Sequence, residues 1–276
     1  MADALSPLLE LNDGNRIPQL GLGVYKTTDD EAAEAVSFAL RHGYRHVDTA
    51  SMYLNESGVG DGVRASGMDR SDVFVTTKVW FTENGFDSTL RSFDESLERL
   101  GFDYLDLYLI HWPAPKNDRY VDAWRALIRL QQEGRVRSIG VANFHPEHVQ
   151  RVIAETGVVP AVNQVELHPA LPQTALRAFD ESLGIVTQAW SPLARGGVLS
   201  SPALASIARK HGRSPAQIVL RWHVQLGVSV IPKSVTPSRM LENLDVFDFV
   251  LDADDLAVIA SLETGERTGV DPNDRN

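Results

Sequence analysis

Short apolar runs alternate along the chain with longer segments in which apolar residues recur with the period of a helix. The runs that predict strands lie at 19–24, 45–48, 73–79, 104–110, 136–142, 161–166, 185–190 and 228–231. Because strands that alternate with helices usually lie parallel in one sheet, these eight units predict an α/β fold, a closed (β/α)8 TIM barrel. An open doubly wound sheet is the alternative, but it usually has fewer strands.

Capping signals mark several of the predicted helices. Thr28 and Glu31 have the spacing of a capping box in front of a helix at 29–42. A helix is also predicted at 118–133, where apolar residues recur at helical spacing. The Ser-Pro-Ala-Gln sequence at 214–217 combines an N-cap, a proline at the first helical position and a glutamine at the third, so another helix begins there.

A β-hairpin is predicted to precede the first barrel strand. The apolar runs 8–11 and 16–20 are joined by residues 12–15, and an Asp-Gly pair between apolar runs is typical of a hairpin turn. No Pro/Gly/Ser-rich linker divides the chain, so we predict one barrel domain over 1–276.

Composition and charge restrict the possible partners. Hydrophobic residues make up 43% of the 276 residues, enough for a core, and no run reaches the ~18 apolar residues of a membrane helix. The net charge of −11 disfavours nucleic acid and anionic membranes, and the absence of cysteine excludes disulfides and thiolate chemistry. The chain start lacks the basic and apolar regions of a secretory signal, so we expect a cytoplasmic protein, and we expect a monomer.

Seven predicted strands end in a polar or aromatic residue, and in barrels the chemistry lies at these C-terminal strand ends. Residues at or just beyond these ends include Asp48, Lys78, His111, Asn143, Glu166, Ser191 and Lys233. Polar residues also collect at strand ends because those ends meet solvent, which explains single cases better than seven together.

Asp48, Tyr53, Lys78 and His111 are the candidate reactive set. A phenol has a pKa near ~10, and a neighbouring ammonium is expected to lower it, so that the phenol releases its proton more readily. A neutral histidine can orient a carbonyl oxygen. The set suits protonation of a developing alkoxide, the step that carbonyl reduction by hydride requires. The alternatives are a structural ion pair, a surface tyrosine and a core histidine.

Several motifs resemble those of the aldo-keto reductases. Residues 48–56, 105–113 and 231–234 are similar to the three signatures of that family, and 140–144, 163–166 and 190–193 also match. The resemblance covers roughly 8–264, and within the family it is greatest to bacterial 2,5-diketo-D-gluconate reductases, whose sequences resemble this chain at 11–14 and 243–247.

The resemblance implies a role for each matching residue. Tyr53 is implied as the proton donor, Lys78 and Asp48 as the pair that adjusts it, and His111 as the residue that orients the carbonyl. The residues implied in binding NADPH are Asn143 and Gln164 at the carboxamide, Trp190 on the nicotinamide ring, Ser191 and Leu193 at the pyrophosphate, Lys233, Ser234 and Arg239 at the 2′-phosphate, and Glu242 and Asn243 at the adenine. Ala142 stands where the family usually has serine, so one hydrogen bond to the carboxamide is expected to be missing.

The phosphate site also has a physical basis. Lys233 and Arg239 flank a predicted helix start at Thr236-Pro237, and helix N-termini favour anions. Barrels often bind phosphate after strands seven and eight, so two cations there favour NADPH over NADH. A solvated basic pair is the alternative.

The substrate is less narrowly defined than the reaction. Tyr25, Trp80 and Trp112 lie just beyond strand ends and are candidates for lining a substrate pocket, with core packing as the alternative. Small keto-sugars, dicarbonyls and aldehydes all suit a pocket with few walls. No metal site is predicted, because we interpret the cluster at 145–148 as solvent-exposed helix residues.

Two other functions stay open from the sequence. Lys78 at a barrel strand end is compatible with a Schiff-base aldolase, which borohydride would trap as a covalent adduct. A barrel that only binds NADPH, as a sensor or regulatory subunit, would not need Tyr53.

Overall fold

The computed structural model describes residues 6–276, and its first element is a hairpin. Strands β1 (Leu8–Glu10) and β2 (Arg16–Pro18) pair antiparallel. Eight parallel strands follow: β3 (Leu22–Gly23), β4 (His46–Asp48), β5 (Phe74–Val79), β6 (Leu105–Ile110), β7 (Val136–Ala142), β8 (Val162–Glu166), β9 (Val186–Trp190) and β10 (Ser229–Val230). The predicted hairpin before the first barrel strand is confirmed.

The eight-stranded sheet closes on itself. Each strand pairs with the next along the chain, and parallel bridges join Leu20 to Val230 and Gly23 to Lys233 across the first and last strands. The predicted (β/α)8 barrel is therefore confirmed. The first and last strands are shorter than predicted. They meet through isolated bridges, and Pro232 has no amide hydrogen with which to continue the ladder.

Helices surround the barrel, and the three with predicted N-caps at Thr28, Ser214 and Thr236 begin there. The helices are α1 (Asp29–Arg41), α2 (Glu56–Ser66), α3 (Phe86–Leu100), α4 (Tyr120–Gln132), α5 (Pro146–Thr156), α6 (Thr174–Ser182), α7 (Pro202–His211), α8 (Pro215–Gln225), α9 (Pro237–Leu244) and α10 (Ala253–Ala260). Both predicted capping boxes form, one between Thr28 and Glu31 and one between Ser214 and Gln217. No helix within residues 6–276 is long and apolar enough to cross a membrane.

The hairpin covers the end of the barrel at which the strands begin. Leu11 and Ile17 are buried there in one apolar cluster with Ala161, Val162 and the inward side chain of Leu107. The hairpin fills this end of the barrel, and in barrels the chemistry lies at the opposite end, where the strands finish.

Candidate functional site

The four candidate reactive side chains meet at the C-terminal ends of neighbouring strands. Asp48 is the last residue of β4, Lys78 lies near the end of β5, and His111 directly follows β6. Tyr53 closes a single 3-10 turn (Ser51–Tyr53) that begins three residues after Asp48. Tight parallel pairing of β4, β5 and β6 therefore brings three sequence-distant groups together, and the short turn brings in the fourth.

Lys78 and Asp48 form a buried ion pair. The Lys78 Nζ donates to Asp48 Oδ1 at 2.5 Å and to the Thr49 carbonyl at 2.8 Å, while Gln164 Nε2 donates to Asp48 Oδ2 at 2.7 Å. Burial raises the pKa of Asp48 and lowers the pKa of Lys78, and the attraction between the two groups opposes both shifts. The two opposite charges are thus held in fixed positions at the C-terminal ends of the strands.

The ring of Tyr53 lies over this pair. Its centroid is 5.1 Å from Lys78 Nζ and 5.7 Å from the His111 ring. Burial raises the pKa of Tyr53 well above that of a free phenol, and the Asp48 carboxylate adds to the effect. The expected lowering of this pKa by Lys78 is therefore wrong for the structure described, and the phenol is fully protonated at neutral pH.

His111 is held neutral. Burial lowers its pKa well below the usual range, and the cations Lys78 and Arg275 lower it further. Its Nδ1 is buried without a hydrogen-bond partner in the described part of the chain, and the Trp80 ring packs edge-on against the imidazole at 5.0 Å. The structure thus agrees with the expectation of a neutral imidazole.

The cluster opens into a cleft of about 310 Å³. Its lining includes Asp48, Tyr53, His111, Asn143, Gln164 and Trp190, together with the aromatic candidates Tyr25 and Trp112. Trp80 is not part of the lining, because it lies beside His111 and beneath Arg275. The structure therefore brings the reactive set, the carboxamide candidates and two of the three aromatic candidates to one cleft.

A second cleft of about 670 Å³ adjoins the first. It contains every residue implied in binding the pyrophosphate and adenosine groups, namely Ser191, Leu193, Lys233, Ser234, Arg239, Glu242 and Asn243. The two clefts share Tyr25, Ser191, Arg195 and Lys233, so together they form one elongated groove across the mouth of the barrel.

The basic side chains of the second cleft are available to an anion. Within residues 6–276, neither Lys233 nor Arg239 takes part in a salt bridge, whereas the nearby Arg213 binds two aspartates. Thr236 and Pro237 stand at the start of α9 as predicted, but the Thr236 side chain makes no capping bond. Instead, Ser234 Oγ accepts from the Thr236 amide at 3.1 Å.

The amide side chains near Trp190 are held in fixed orientations. Asn143 has a positive φ of 61°, its Nδ2 donates to the His111 carbonyl, and its Oδ1 accepts from Trp190 Nε1 at 2.9 Å. Gln164 Nε2 donates to Asp48 and also to Gln188 Oε1 at 2.6 Å. Both donors of the Gln164 amide are thus engaged, which leaves its carbonyl oxygen directed for an incoming N–H group.

A C-terminal segment, residues 268–276, completes the first cleft. Glu166 at the end of β8 accepts from the Thr268 amide and hydroxyl and from the Gly269 amide. Burial alone would raise the pKa of Glu166, but these hydrogen bonds and one from His168 outweigh it and lower the pKa. Gly269 packs against Trp190, where a Cβ would lie 2.6 Å from the indole ring.

Sequence reasoning did not single out seven lining residues of the first cleft. They are Gly23, Met52, Arg195, Ile231, Gly269, Val270 and Arg275. Arg195 and the two glycines that follow it come shortly after the matching motif at 190–193. This position was a signal that could have identified Arg195. The segment 268–276 has no periodic pattern, so its position over the cleft had no signal in the sequence.

The histidines at the start of α5 are structural. The Nδ1 of His148 accepts from the His145 amide at 3.2 Å and completes a capping box, and His145 Nε2 lies 3.2 Å from Asp271. His148 is buried, so the expectation that this cluster is solvent-exposed is wrong for it. Among residues 6–276 no three potential metal-binding side chains of His, Asp or Glu group together.

A closed barrel with buried acid and base groups at the C-terminal mouth, beside an elongated groove with available cations, defines an α/β-barrel enzyme. The sequence profile of the Aldo/keto reductase family matches residues 19–264. The chain therefore belongs to the aldo-keto reductase family and is an oxidoreductase.

Full-length relatives agree with this assignment. The chain is 55% identical over 272 residues to an aldo-keto reductase of Mycolicibacterium smegmatis, covering 99% of each protein. It is 50% identical over 268 residues to the methylglyoxal reductase DkgA of Salmonella typhimurium, covering 96% of this chain and 97% of that one. A crystal structure of a Gox0644 mutant in complex with NADPH superposes with a TM-score of 0.95 at 51% identity, covering 98% and 99%.

Proposed function

We propose that this protein reduces aldehydes and ketones to alcohols with NADPH, and that Tyr53 donates the proton. The substrates are small dicarbonyls such as methylglyoxal, keto-sugar acids such as 2,5-diketo-D-gluconate, and small aldehydes. The observation that carries the proposal is the convergence of Tyr53, His111 and the Lys78–Asp48 pair on one cleft next to the long groove.

The groove suits a phosphorylated dinucleotide. Lys233 and Arg239, which have no acidic partner in the described part of the chain, would hold the 2′-phosphate, and Trp190 would stack on the nicotinamide. The Gln164 carbonyl oxygen, left over by its two donor bonds, would accept from the carboxamide. All seven residues that the family resemblance implied in binding the pyrophosphate and adenosine groups line the second cleft. An extended adenosine diphosphate group requires contacts spread along such a cleft. Bound there, NADPH supplies a hydride to the carbonyl carbon.

The chain itself supplies orientation and the proton. Neutral His111 donates a hydrogen bond to the substrate oxygen, and Tyr53, whose raised pKa keeps it protonated, gives its proton to the oxygen as negative charge develops there. The Lys78 ammonium, 5.1 Å from the Tyr53 ring, stabilises the phenolate that remains. The Asp48 carboxylate and the Thr49 carbonyl keep Lys78 in place.

The relatives support the substrate class. DkgA of Salmonella typhimurium is named a methylglyoxal reductase, and the Gox0644 mutant was solved in complex with NADPH. A cleft of about 310 Å³ is at the small end of ligand pockets, which favours short carbonyl compounds.

The two alternative functions receive less support. A Schiff-base lysine must be uncharged and reachable, but Lys78 is wholly buried and ion-paired to Asp48. A protein that only binds NADPH would have no need for a protonated phenol and a neutral imidazole aimed at the same cleft.

A Tyr53→Phe variant tests the proposal. We expect kcat for methylglyoxal reduction to fall by about 10² to 10⁴, since the proton donor is lost, while the Kd for NADPH changes little. Tyr104→Phe, at a tyrosine just before β6 that bonds with Arg70, is the matched control and should keep the wild-type kcat.

NADPH consumption gives kcat, and nucleotide fluorescence gives the Kd. A wild-type protein that binds NADPH but reduces no carbonyl compound in a panel of dicarbonyls, keto-sugar acids and aldehydes favours the binding-only function. Wild-type turnover in Tyr53→Phe removes Tyr53 as the donor.

The setting of the enzyme is part of the same proposal. It works as a single barrel domain and as a monomer in the cytoplasm, with a small carbonyl compound as its partner. Light scattering after gel filtration measures the molecular mass in solution, and a dimer mass contradicts the monomer.

A further inference from the structure

The side chain of Arg275 is packed among three aromatic rings. Its guanidinium carbon lies 5.1 Å from the Trp80 ring centroid and 5.6 Å from the centroids of both Phe81 and Trp112. Such stacking fixes the plane of a guanidinium without neutralising its charge. Arg275 is therefore a cation whose orientation is set before any ligand arrives.

No acidic side chain in the described part of the chain balances this cation. Several arginines of this acidic protein pair with carboxylates, as Arg267 does with Asp271 just before and within this segment. Arg275 forms no salt bridge within residues 6–276, and its Nε is buried without a hydrogen-bond partner there. A buried donor of this kind is costly to leave unsatisfied. The guanidinium that carries it lines the cleft with its charge unpaired, so it is available to an anion there.

Arg275 faces the reacting groups. It lines the same 310 Å³ cleft as Tyr53, His111 and Trp112. Trp80, on which its guanidinium stacks, is itself in edge contact with the His111 ring at 5.0 Å. A molecule with its carbonyl at Tyr53 and His111 thus extends toward Arg275 at the outer wall.

We propose that Arg275 binds a carboxylate of the substrate, so that the enzyme prefers carbonyl compounds that carry a carboxylate several carbon atoms from the reacting carbonyl. The proposal rests on the carbonyl reduction proposed above and names a subsite for it. An arginine presents a planar pair of donors that matches the two oxygens of a carboxylate. Because the net charge of −11 repels anions on average, a local cation is needed to admit them.

The segment that carries Arg275 is anchored on both sides of it. Glu166 binds Thr268 and Gly269, and the Lys116 amide donates to Asn276 Oδ1 at 2.8 Å. Arg275 consequently sits on a fixed support, which is the condition for selecting substrates by charge.

Three aldehydes with similar reactive groups test the subsite: 4-carboxybenzaldehyde, its methyl ester methyl 4-formylbenzoate, and benzaldehyde. We expect Arg275→Gln to raise KM for 4-carboxybenzaldehyde by about tenfold or more, because a charge-assisted hydrogen bond is lost. KM for the two neutral aldehydes should stay within about a factor of two, since neither presents a carboxylate. Arg275→Lys, which keeps the charge but not the planar fork, should fall between wild type and Arg275→Gln.

Arg267→Gln removes the same charge directly before this segment and outside the cleft, and it is the matched control, expected to keep the wild-type preference. An equal rise in KM for acid and ester in Arg275→Gln indicates a structural role for the stack and overturns the subsite, as does an unchanged KM for the acid. A wild-type enzyme that reduces none of the three aldehydes with NADPH contradicts the proposed function instead. In that case binding of 4-(hydroxymethyl)benzoate, followed by tryptophan fluorescence, decides the subsite, because Arg275→Gln must weaken it.

Discussion

At the scale of single residues, Asp48 links the two halves of the site. One of its oxygens binds Lys78 beneath the Tyr53 ring, and the other binds Gln164, which contacts the proposed carboxamide position. The groups that move the proton and the groups that orient the cofactor therefore share one carboxylate. We therefore expect a change at Gln164 to affect Lys78 through this single buried side chain.

Arg239→Ala tests the phosphate site at this scale. We expect KM for NADPH to rise by about 10- to 100-fold, the loss expected for a charge-assisted hydrogen bond, while KM for NADH changes little. Arg213→Ala, an arginine already paired with Asp245 and Asp248, is the control and should leave both values unchanged. Steady-state kinetics with each nucleotide measures the effect, and equal NADPH KM values for Arg239→Ala and wild type would contradict the role.

Residue types and strand ends suffice to predict which polar groups meet, because parallel strands in a barrel finish at one edge. They do not predict how those groups titrate. The pKa of Tyr53 is raised chiefly by burial and further by the Asp48 carboxylate, which is opposite to the expected direction. The burial of Tyr53 results from the packing of many segments of the chain, so a local sequence motif cannot predict it.

At the scale of elements, helix α6 turns a carboxylate toward the sheet. Asp180 on α6 is buried against β8 and β9, where Asn163 Nδ2 and the Thr187 hydroxyl donate to it. Burial raises its pKa to about 7, and Asn163 Oδ1 nearby has no partner in the described part of the chain. The protonated form of the Asp180 carboxyl therefore suits this buried site better than the carboxylate does.

Asp180→Asn tests this contact. The pKa of Asp180 is about 7 when folded against 3.8 for an ordinary carboxyl, so the folded state holds the extra proton between these values, and stability falls as pH rises from about 4 to about 7. Asparagine cannot titrate. The free energy of unfolding of Asp180→Asn minus that of wild type should therefore rise with pH, by up to ~1.4 kcal/mol per pH unit over this range. Urea unfolding at pH 5, 6, 7 and 8 measures it, and a difference that is constant with pH excludes the titration.

Local signals define most element boundaries. Capping boxes place the starts of α1 and α8 at the predicted residues, because the bonds that fix a helix start lie within four residues of each other. The first and last barrel strands are shorter than predicted, since their lengths depend on how the sheet closes, which occurs through bridges from Leu20 to Val230 and from Gly23 to Lys233.

At the scale of the whole molecule, the two ends of the barrel are separate in function. The hairpin buries Ile17 completely at the closed end, whereas the groove occupies the open end. We expect Ile17→Ala to lower the free energy of unfolding by about 2–5 kcal/mol, because it leaves a cavity, without changing kcat or KM.

Leu8→Ala, at an exposed position of the same hairpin, is its control and should change stability little. Urea unfolding and steady-state kinetics of the two variants are compared. A change in KM for Ile17→Ala would show that the ends are coupled.

The barrel as a whole follows from the alternation of strands and helices, since each unit forms from neighbouring residues. The position of residues 268–276 does not, because contacts such as Thr268 with Glu166 join residues about a hundred positions apart and carry no local pattern. The wall of the first cleft formed by Val270 and Arg275 is therefore visible only in three dimensions.

The attachment of that segment through Glu166 has a consequence for how such enzymes diversify. The groups assigned to proton transfer belong to the barrel, whereas Arg275 belongs to a short extension that the barrel holds by a few hydrogen bonds. We therefore expect that exchange of this extension between related chains would alter which molecules are accepted and leave the reaction itself intact. Substrate selectivity would then change independently of the groups that carry out the reaction.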